Sequence, residues 1–257
     1  MGILGNLLKT QSSNTRQILE ESQEVKTGGG NFILETDVYK VKIKDMYAIV
    51  SSGGALGIRL ILGYGDNFSN EYREDIYISN KEKKFTFTDK KDGKEKPLPG
   101  YALINDICCL CTDKSLAGVA ENTVEQVKKV YDFKTKSEVN ESHETYVDLI
   151  DQIFLAGIVK QEELKKKYGS DGKLYTTDET RFTNHIQVVF DSETMNTLYE
   201  FDHAEGEDVP EHKAYDSFME DLKGKVIKKK DKSDNTAKPS NDTAPVQHRR
   251  SSLRRNA

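Results

Sequence analysis

Residues 37–50 read D-V-Y-K-V-K-I-K-D-M-Y-A-I-V, and in them Tyr39, Val41, Ile43, Tyr47 and Ile49 alternate with Lys40, Lys42 and Lys44. A period of two sends successive side chains to opposite sides of an extended chain, so this stretch predicts a strand with an apolar face and a basic outer row. The next residues, S-S-G-G-A-L-G at 51–57, supply a turn, after which Ile58, Leu60, Leu62 and Tyr64 share one face of I-R-L-I-L-G-Y-G. A phosphate-binding loop is a poor reading of these glycines, because no G-K-[ST] follows and the chain continues with strand alternation. In E-Y-R-E-D-I-Y-I-S at 71–79, Tyr72, Ile76 and Ile78 fall on one face and Arg73, Asp75 and Tyr77 on the other. Three antiparallel strands in a meander are the simplest assembly.

Working outward, residues 81–97 are the most basic part of the body and interleave Phe85 and Phe87 with Lys81, Lys83, Lys84, Lys90, Lys91, Lys94 and Lys96. Aromatic rings offer a base a surface to stack on, while ammonium groups hold phosphates, a combination suited to single-stranded nucleic acid. The alternation fits a second reading equally well, with both phenylalanines packed inward and the lysines merely solvated. P-G at 99–100 then opens a run with apolar residues at 103, 104, 107, 108, 110 and 111, which predicts a buried helix over 101–113.

Cys108, Cys109 and Cys111 are too few and too crowded for a disulfide framework, and C-C-x-C lacks the paired spacing of a closed zinc site. They read as packed thiols in a reducing compartment. Residues 124–139 and 144–164 predict further strand pairs, with a helix-compatible start at 147–152 and a bulge or close backbone approach at Gly157. Residues 168–185 read as loop, and a helix is expected over 211–222, where Tyr215, Phe218, Met219 and Leu222 form a docking stripe.

The chain has 257 residues, 35% hydrophobic and 32% charged. Against roughly 45–50% apolar and 25% charged for average domains, much of it faces water. No apolar run approaches the ~18 residues of a membrane span. M-G-I-L-G-N lacks a basic leader, and Asn6 stands where a myristoylation signal has Ser or Thr, so no targeting segment is expected. From Gly224 onward ten Lys and Arg face three Asp, a net +7 within a total of −5, which leaves −12 on residues 1–223. The resulting division is a flexible arm (1–34, with a possible helix at 16–25), a body (35–200), an acidic segment with a helix (201–223) and a disordered basic tail (224–257).

Catalysis needs a nucleophile with its base, a metal cluster or a cofactor loop, and no such spacing stands out, so neither an enzyme nor a cofactor is expected. His143, His185, His203, His212 and His248 are scattered, and the 168–185 carboxylates miss the EF-hand pattern.

The ordered succession D-V-Y (37–39), S-S-G-G-A-L-G-I-R-L (51–60), E-D-I-Y-I-S (74–79), F-T-F-T-D-K-K-D-G-K-E-K-P-L-P-G-Y (85–101), L-I-N-D-I-C-C-L-C-T (103–112), V-Y-D-F (130–133), A-G-I-V-K-Q (156–161), T-R-F-T-N-H-I (180–186) and V-F-D (189–191) resembles the single-stranded DNA-binding proteins of tailed bacteriophages. The likeness spans about residues 35–200. It implies a mainly β chain with some α: an OB-like antiparallel five-stranded barrel with an inserted helix and flexible termini. It also implies binding of single-stranded DNA without strong sequence preference in phage replication and recombination, in the cytoplasm of the infected bacterial host and beside phage replication proteins.

Strand parity alone, and not the resemblance, nominates Lys40, Lys42, Lys44, Arg59, Arg73, Lys83, Lys84 and Lys96 for phosphates and Tyr77, Phe85 and Phe87 for bases. Two other functions fit the same residues: a single-strand annealing protein and a non-enzymatic interaction scaffold.

Overall fold

The computed structural model describes residues 33–132, 135–168, 174–204 and 211–229. The expected arm up to residue 32, the acidic residues 205–210 and the tail from residue 230 lie outside the described residues. Two compact units divide the chain, Met1–Leu34 and Glu35–Ala257, and every element below belongs to the second.

Three antiparallel strands form the expected meander: β1 (Asp37–Val50), β2 (Leu56–Tyr64) and β3 (Asn70–Tyr77). The turn between β1 and β2 is closed by the Ser51 N–H donating to the Ala55 carbonyl, and Gly54 takes the left-handed φ of +86° that a side chain would resist. Ile58, Leu60 and Leu62 are fully buried on the inner face, with Tyr72 and Ile76 beside them on β3. Parity in β1 departs from the alternation in the sequence. Ile43 pairs with Leu62 but Asp45 pairs with Ile61, so Lys44 is an extra residue, a β-bulge. After it Met46, not Tyr47, follows Val41 and Ile43 inward, and Tyr47 and Ile49 turn to the outer face.

The first half of β1 pairs with β8 (Ile153–Tyr168), and β8 pairs with β9 (Leu174–Phe190), which gives a five-strand path β9–β8–β1–β2–β3. Among the described residues no backbone ladder joins β3 to β9, so the sheet is not closed. The gap is bridged by Glu74 of β3, whose carboxylate accepts the Ile186 backbone N–H at 2.9 Å and lies 3.0 Å from His185 Nδ1. Tyr72 also donates its hydroxyl to Glu74, at 2.8 Å.

After β3, a small two-stranded hairpin of β4 (Thr86–Thr88) and β5 (Glu95–Pro97) leads into helix α1 (Pro99–Thr112), whose Pro supplies a helix-ready φ in the first turn. The helix packs against β3, β8 and β9 and buries Ile104, Ile107 and Cys108. Burial pushes the Cys108 thiol up to about 12, as befits a packed group. Gly100 is required there, since a Cβ would stand 2.2 Å from the Tyr77 carbonyl oxygen. A short helix α2 (Leu116–Ala120), N-capped by Ser115, follows.

Next comes a hairpin of β6 (Thr123–Asp132) and β7 (Ser137–Tyr146), joined to the sheet where Thr145 pairs with Tyr47. The helix-compatible start at 147–152 is a single 3-10 turn at Val147–Leu149. The loop expected at 168–185 is a correction, because β9 begins at Leu174 and pairs with β8 along its length. Its outer residues, from Tyr175 to Phe182, are almost all exposed, so neither face carries the apolar alternation by which a strand is read.

The far side of β8–β9 is covered by helix α4 (Lys213–Asp221), which follows the short α3 (Leu198–Asp202). Phe218 of α4 is buried against Val159 and Phe190, with Tyr215, Met219 and Leu222 around them. Gly157 admits this ring: a Cβ would lie 2.9 Å from Phe218 Cε2 and 2.7 Å from Val188 Cγ1. The register also shifts at Gly157/Ile158, so the bulge expected at this glycine is present, while the close approach there is made by side chains and not by backbone. Residues at the start of the expected tail are part of the sheet, since β10 (Val226–Lys228) runs parallel to β8 and Lys229 donates its N–H to the Glu162 carbonyl. Among the described residues no helix is long and apolar enough to cross a membrane.

Candidate nucleic-acid interface

The bulge at Lys44 builds the outer face of the meander. Across it Tyr47, Arg59 and Asp75 stand in one register row, and Ile49, Gly57 and Tyr77 in the next. The Arg59 guanidinium forms a bidentate pair with Asp75, at 2.6 Å for each bond. This pairing raises the Arg59 pKa further, so the group is always charged, yet its charge is already matched. Tyr47 is 3% exposed under Arg59, with the His143 ring 4.8 Å away and Lys128 Nζ 5.4 Å from its centroid. Burial raises its phenol pKa, which keeps it neutral.

Between this face and the β6–β7 hairpin lies a cleft of about 680 Å³, lined among others by Ile49, Gly57, Tyr77, Val130 and His143. Gly57 permits Tyr77 and Ile49 to converge, for a Cβ would stand 3.0 Å from Tyr77 Cδ1 and 3.2 Å from Ile49 Cγ1. The Tyr77 ring remains 48% exposed, an apolar surface presented to solvent.

The eleven residues nominated from parity fall into three groups. Arg59, Arg73 and Tyr77 share the outer face, where Arg73 is engaged by Glu71 at 3.1 Å. Lys40, Lys42 and Lys44 lie on the first half of β1. Lys42 Nζ is 3.5 Å from Asp151 and 5.2 Å above the Phe68 ring, while Lys40 and Lys44 have no carboxylate partner among the described residues. Lys83, Lys84, Phe85, Phe87 and Lys96 belong to the β4–β5 hairpin and its base. Phe85 and Phe87 are 40% and 41% exposed, Phe85 resting 5.4 Å from the Tyr101 ring. They are therefore not core residues, and both keep part of their side chains open to solvent. Lys96 is bound by Asp89 at 2.5 Å and Asp92 at 3.1 Å, and the lysine draws the Asp89 pKa below its usual value. Lys83 and Lys84 are exposed without such a partner among the described residues.

The hairpin and the outer face meet at Lys81, whose Cε lies 3.3 Å from where a Gly53 Cβ would stand, over the turn that rims the cleft. Tyr77 ends β3 four residues before Lys81, where the lysine-rich segment begins. Parity overlooked Tyr47, buried beneath the outer face, and Ile49, Val130 and His143, which line the cleft. The one trace of the first two in the sequence is Asp45, which interrupts the lysine row where the bulge occurs.

No protein-family model matches the chain, nor does any curated protein or solved structure.

Proposed function

We propose that the chain is a non-sequence-specific single-stranded DNA-binding protein that serves phage DNA replication and recombination in the cytoplasm of the infected host, and that it meets phage replication proteins there. In this reading β1, β2, β3, β8 and β9 are the strands of an OB-like, partly open barrel, α1 follows the third strand, and β6–β7 is inserted ahead of the fourth. The strand order β9–β8–β1–β2–β3, with Glu74 spanning the end strands, supports that assignment.

The observation that carries the reading is the half-exposed Tyr77 at the end of β3, on a strand that leads within four residues into the lysine-rich segment 81–97. A base stacks on Tyr77, worth about 1–3 kcal/mol, while Lys81, Lys83 and Lys84 hold the neighbouring phosphates. Arg59 positions Tyr47 and Asp75 and leaves the phosphates to these lysines. The excess of carboxylates on the body confines phosphate affinity to this strip and disfavours duplex.

The test is fluorescence anisotropy of a labelled oligothymidine and a matched duplex with a chain ending after Lys229, which keeps β10 and removes the tail. Preference for the single strand, with log affinity falling against log salt by about 0.7 per phosphate contact, supports the reading. Equal binding of the two, or none, points instead to an acidic scaffold with a polyanion-seeking tail.

A further inference from the structure

The outer strand of the β6–β7 hairpin is an open edge. β6 pairs with β7 over ten residues without a register shift, and among the described residues no strand lies along its other side. Its sequence, T-V-E-Q-V-K-K-V-Y-D, holds neither Pro nor Gly. Native sheets blunt such an edge with a bulge, a proline or a covering segment, because its unpaired N–H and C=O groups are a template for another strand.

Successive residues of β6 alternate between two faces. Val124, Gln126, Lys128 and Val130 share the face turned to the body, where Lys128 Nζ lies 2.7 Å from Asp45 and Val130 lines the cleft. Thr123, Glu125, Val127, Lys129 and Tyr131 share the opposite face, on which Val127 is 59% exposed. In the register with β7, Glu125 stands directly across from Glu144, an unfavourable pair of like charges. Glu125 accepts the Ser142 hydroxyl at 2.7 Å, yet among the described residues neither Glu125 nor Lys129 has an oppositely charged partner.

We propose that β6 pairs antiparallel with β6 of a second copy of this chain, about a two-fold axis at Val127. An axis perpendicular to the sheet keeps the faces of the two strands in common, so only residues of the same parity can stand opposite each other. With the axis at Val127, Glu125 of each copy meets Lys129 of the other, Val124 meets Val130 and Thr123 meets Tyr131. An axis at Gln126 sets Glu125 against Val127, and one at Lys128 sets Val127 against Lys129 and Glu125 against Tyr131. At Glu125 or Lys129 the axis opposes two identical charges. The strand is therefore self-complementary in one of these registers, and that register supplies the cation missing at Glu125. A ten-residue edge is small beside the standard interface of about 1,600 Å², so the dimer is a reversible one. The inference stands independently of the single-stranded DNA reading.

Sedimentation equilibrium of the full chain, from micromolar to submillimolar concentration at physiological salt, should resolve monomer and dimer. Glu125→Lys and Lys129→Glu each set two pairs of like charges across the axis, and each should weaken the dimer about tenfold or more. An equimolar mixture of the two variants puts opposite charges back at both places, so it should associate about as tightly as the unaltered chain. Glu125→Lys also places a cation across from Glu144, which favours the hairpin, so a lost dimer is not a lost fold. A chain that stays monomeric throughout overturns the proposal. So does a dimer that neither substitution weakens, or one that the mixture fails to restore.

Discussion

Glu74 on β3 accepts the backbone N–H of Ile186 on β9 at 2.9 Å, and by this bond a side chain links the two end strands of the five-strand path. The carboxylate is 13% exposed and also receives the Tyr72 hydroxyl. Glu74→Ala leaves a buried N–H and a largely buried phenol unmet, so it should cost about 2–4 kcal/mol, since bonds to a charged group and the desolvation of orphaned partners both count. Urea denaturation followed by circular dichroism measures this, and a loss under about 0.5 kcal/mol contradicts a structural role for the bond.

Gly157 and Phe218 make a second close approach, between β8 and α4. Gly157→Ala places a methyl group 2.9 Å from the Phe218 ring and 2.7 Å from Val188. Overpacking of this kind costs about 1–3 kcal/mol. A smaller cost is expected for Gly93→Ala, where no atom lies within 4 Å and only the left-handed φ of +68° is strained. Thermal unfolding of the two variants side by side should show the larger drop for Gly157→Ala.

Asp106 on α1 has its carboxyl pushed up to about 6, first by burial and then by the nearby Asp202 charge. The folded chain therefore holds this proton more tightly than the unfolded chain. Its contribution is fully present below about pH 4 and is lost as pH rises through about 6. Asp106→Asn should stabilise the protein by about 1 kcal/mol at neutral pH, after allowance for solvent screening at a half-exposed group, and by nothing below about pH 4. Melting temperatures across pH check the sign, and a variant that gains stability only in acid would contradict it.

Lys84 and Lys96 lie on the same hairpin segment but differ in pairing. Lys96 is neutralised by Asp89 and Asp92, whereas Lys84 is exposed with no carboxylate partner among the described residues. In oligonucleotide titrations, Lys84→Gln should reduce the slope of log affinity against log salt by about 0.7, and Lys96→Gln should leave it nearly unchanged. Equal changes for both variants would show that the pairing of Lys96 does not persist on binding.

Legibility in the sequence followed burial. Ile58, Leu60 and Leu62 on β2 and Tyr72 and Ile76 on β3 are apolar on one face only, so their alternation survives as a pattern and the meander is readable. Pro99 and the apolar spacing of Ile104, Ile107 and Cys108 mark α1 equally well. β9 was hidden because Tyr175 to Phe182 are solvated on both faces and carry no periodicity. The alternation fails at one residue: a bulge at Lys44 shifts the phase of everything after it, so Tyr47 is buried beneath the outer face under Arg59 and does not join Val41 and Ile43 on the inner face. His143 carried no local signal, since its place beside Tyr47 depends on how a distant hairpin joins β1.

The central claim is that the Tyr77 face, and not bulk charge, selects the single strand. It is tested most directly by the ratio of single-strand to duplex affinity in the chain ending at Lys229, measured by anisotropy with and without Tyr77→Ala. Loss of one stacked base should reduce single-strand affinity about tenfold, leave the weak duplex affinity unchanged and so narrow the ratio by the same factor. A ratio that Tyr77→Ala does not alter, or one near unity at the outset, contradicts the account.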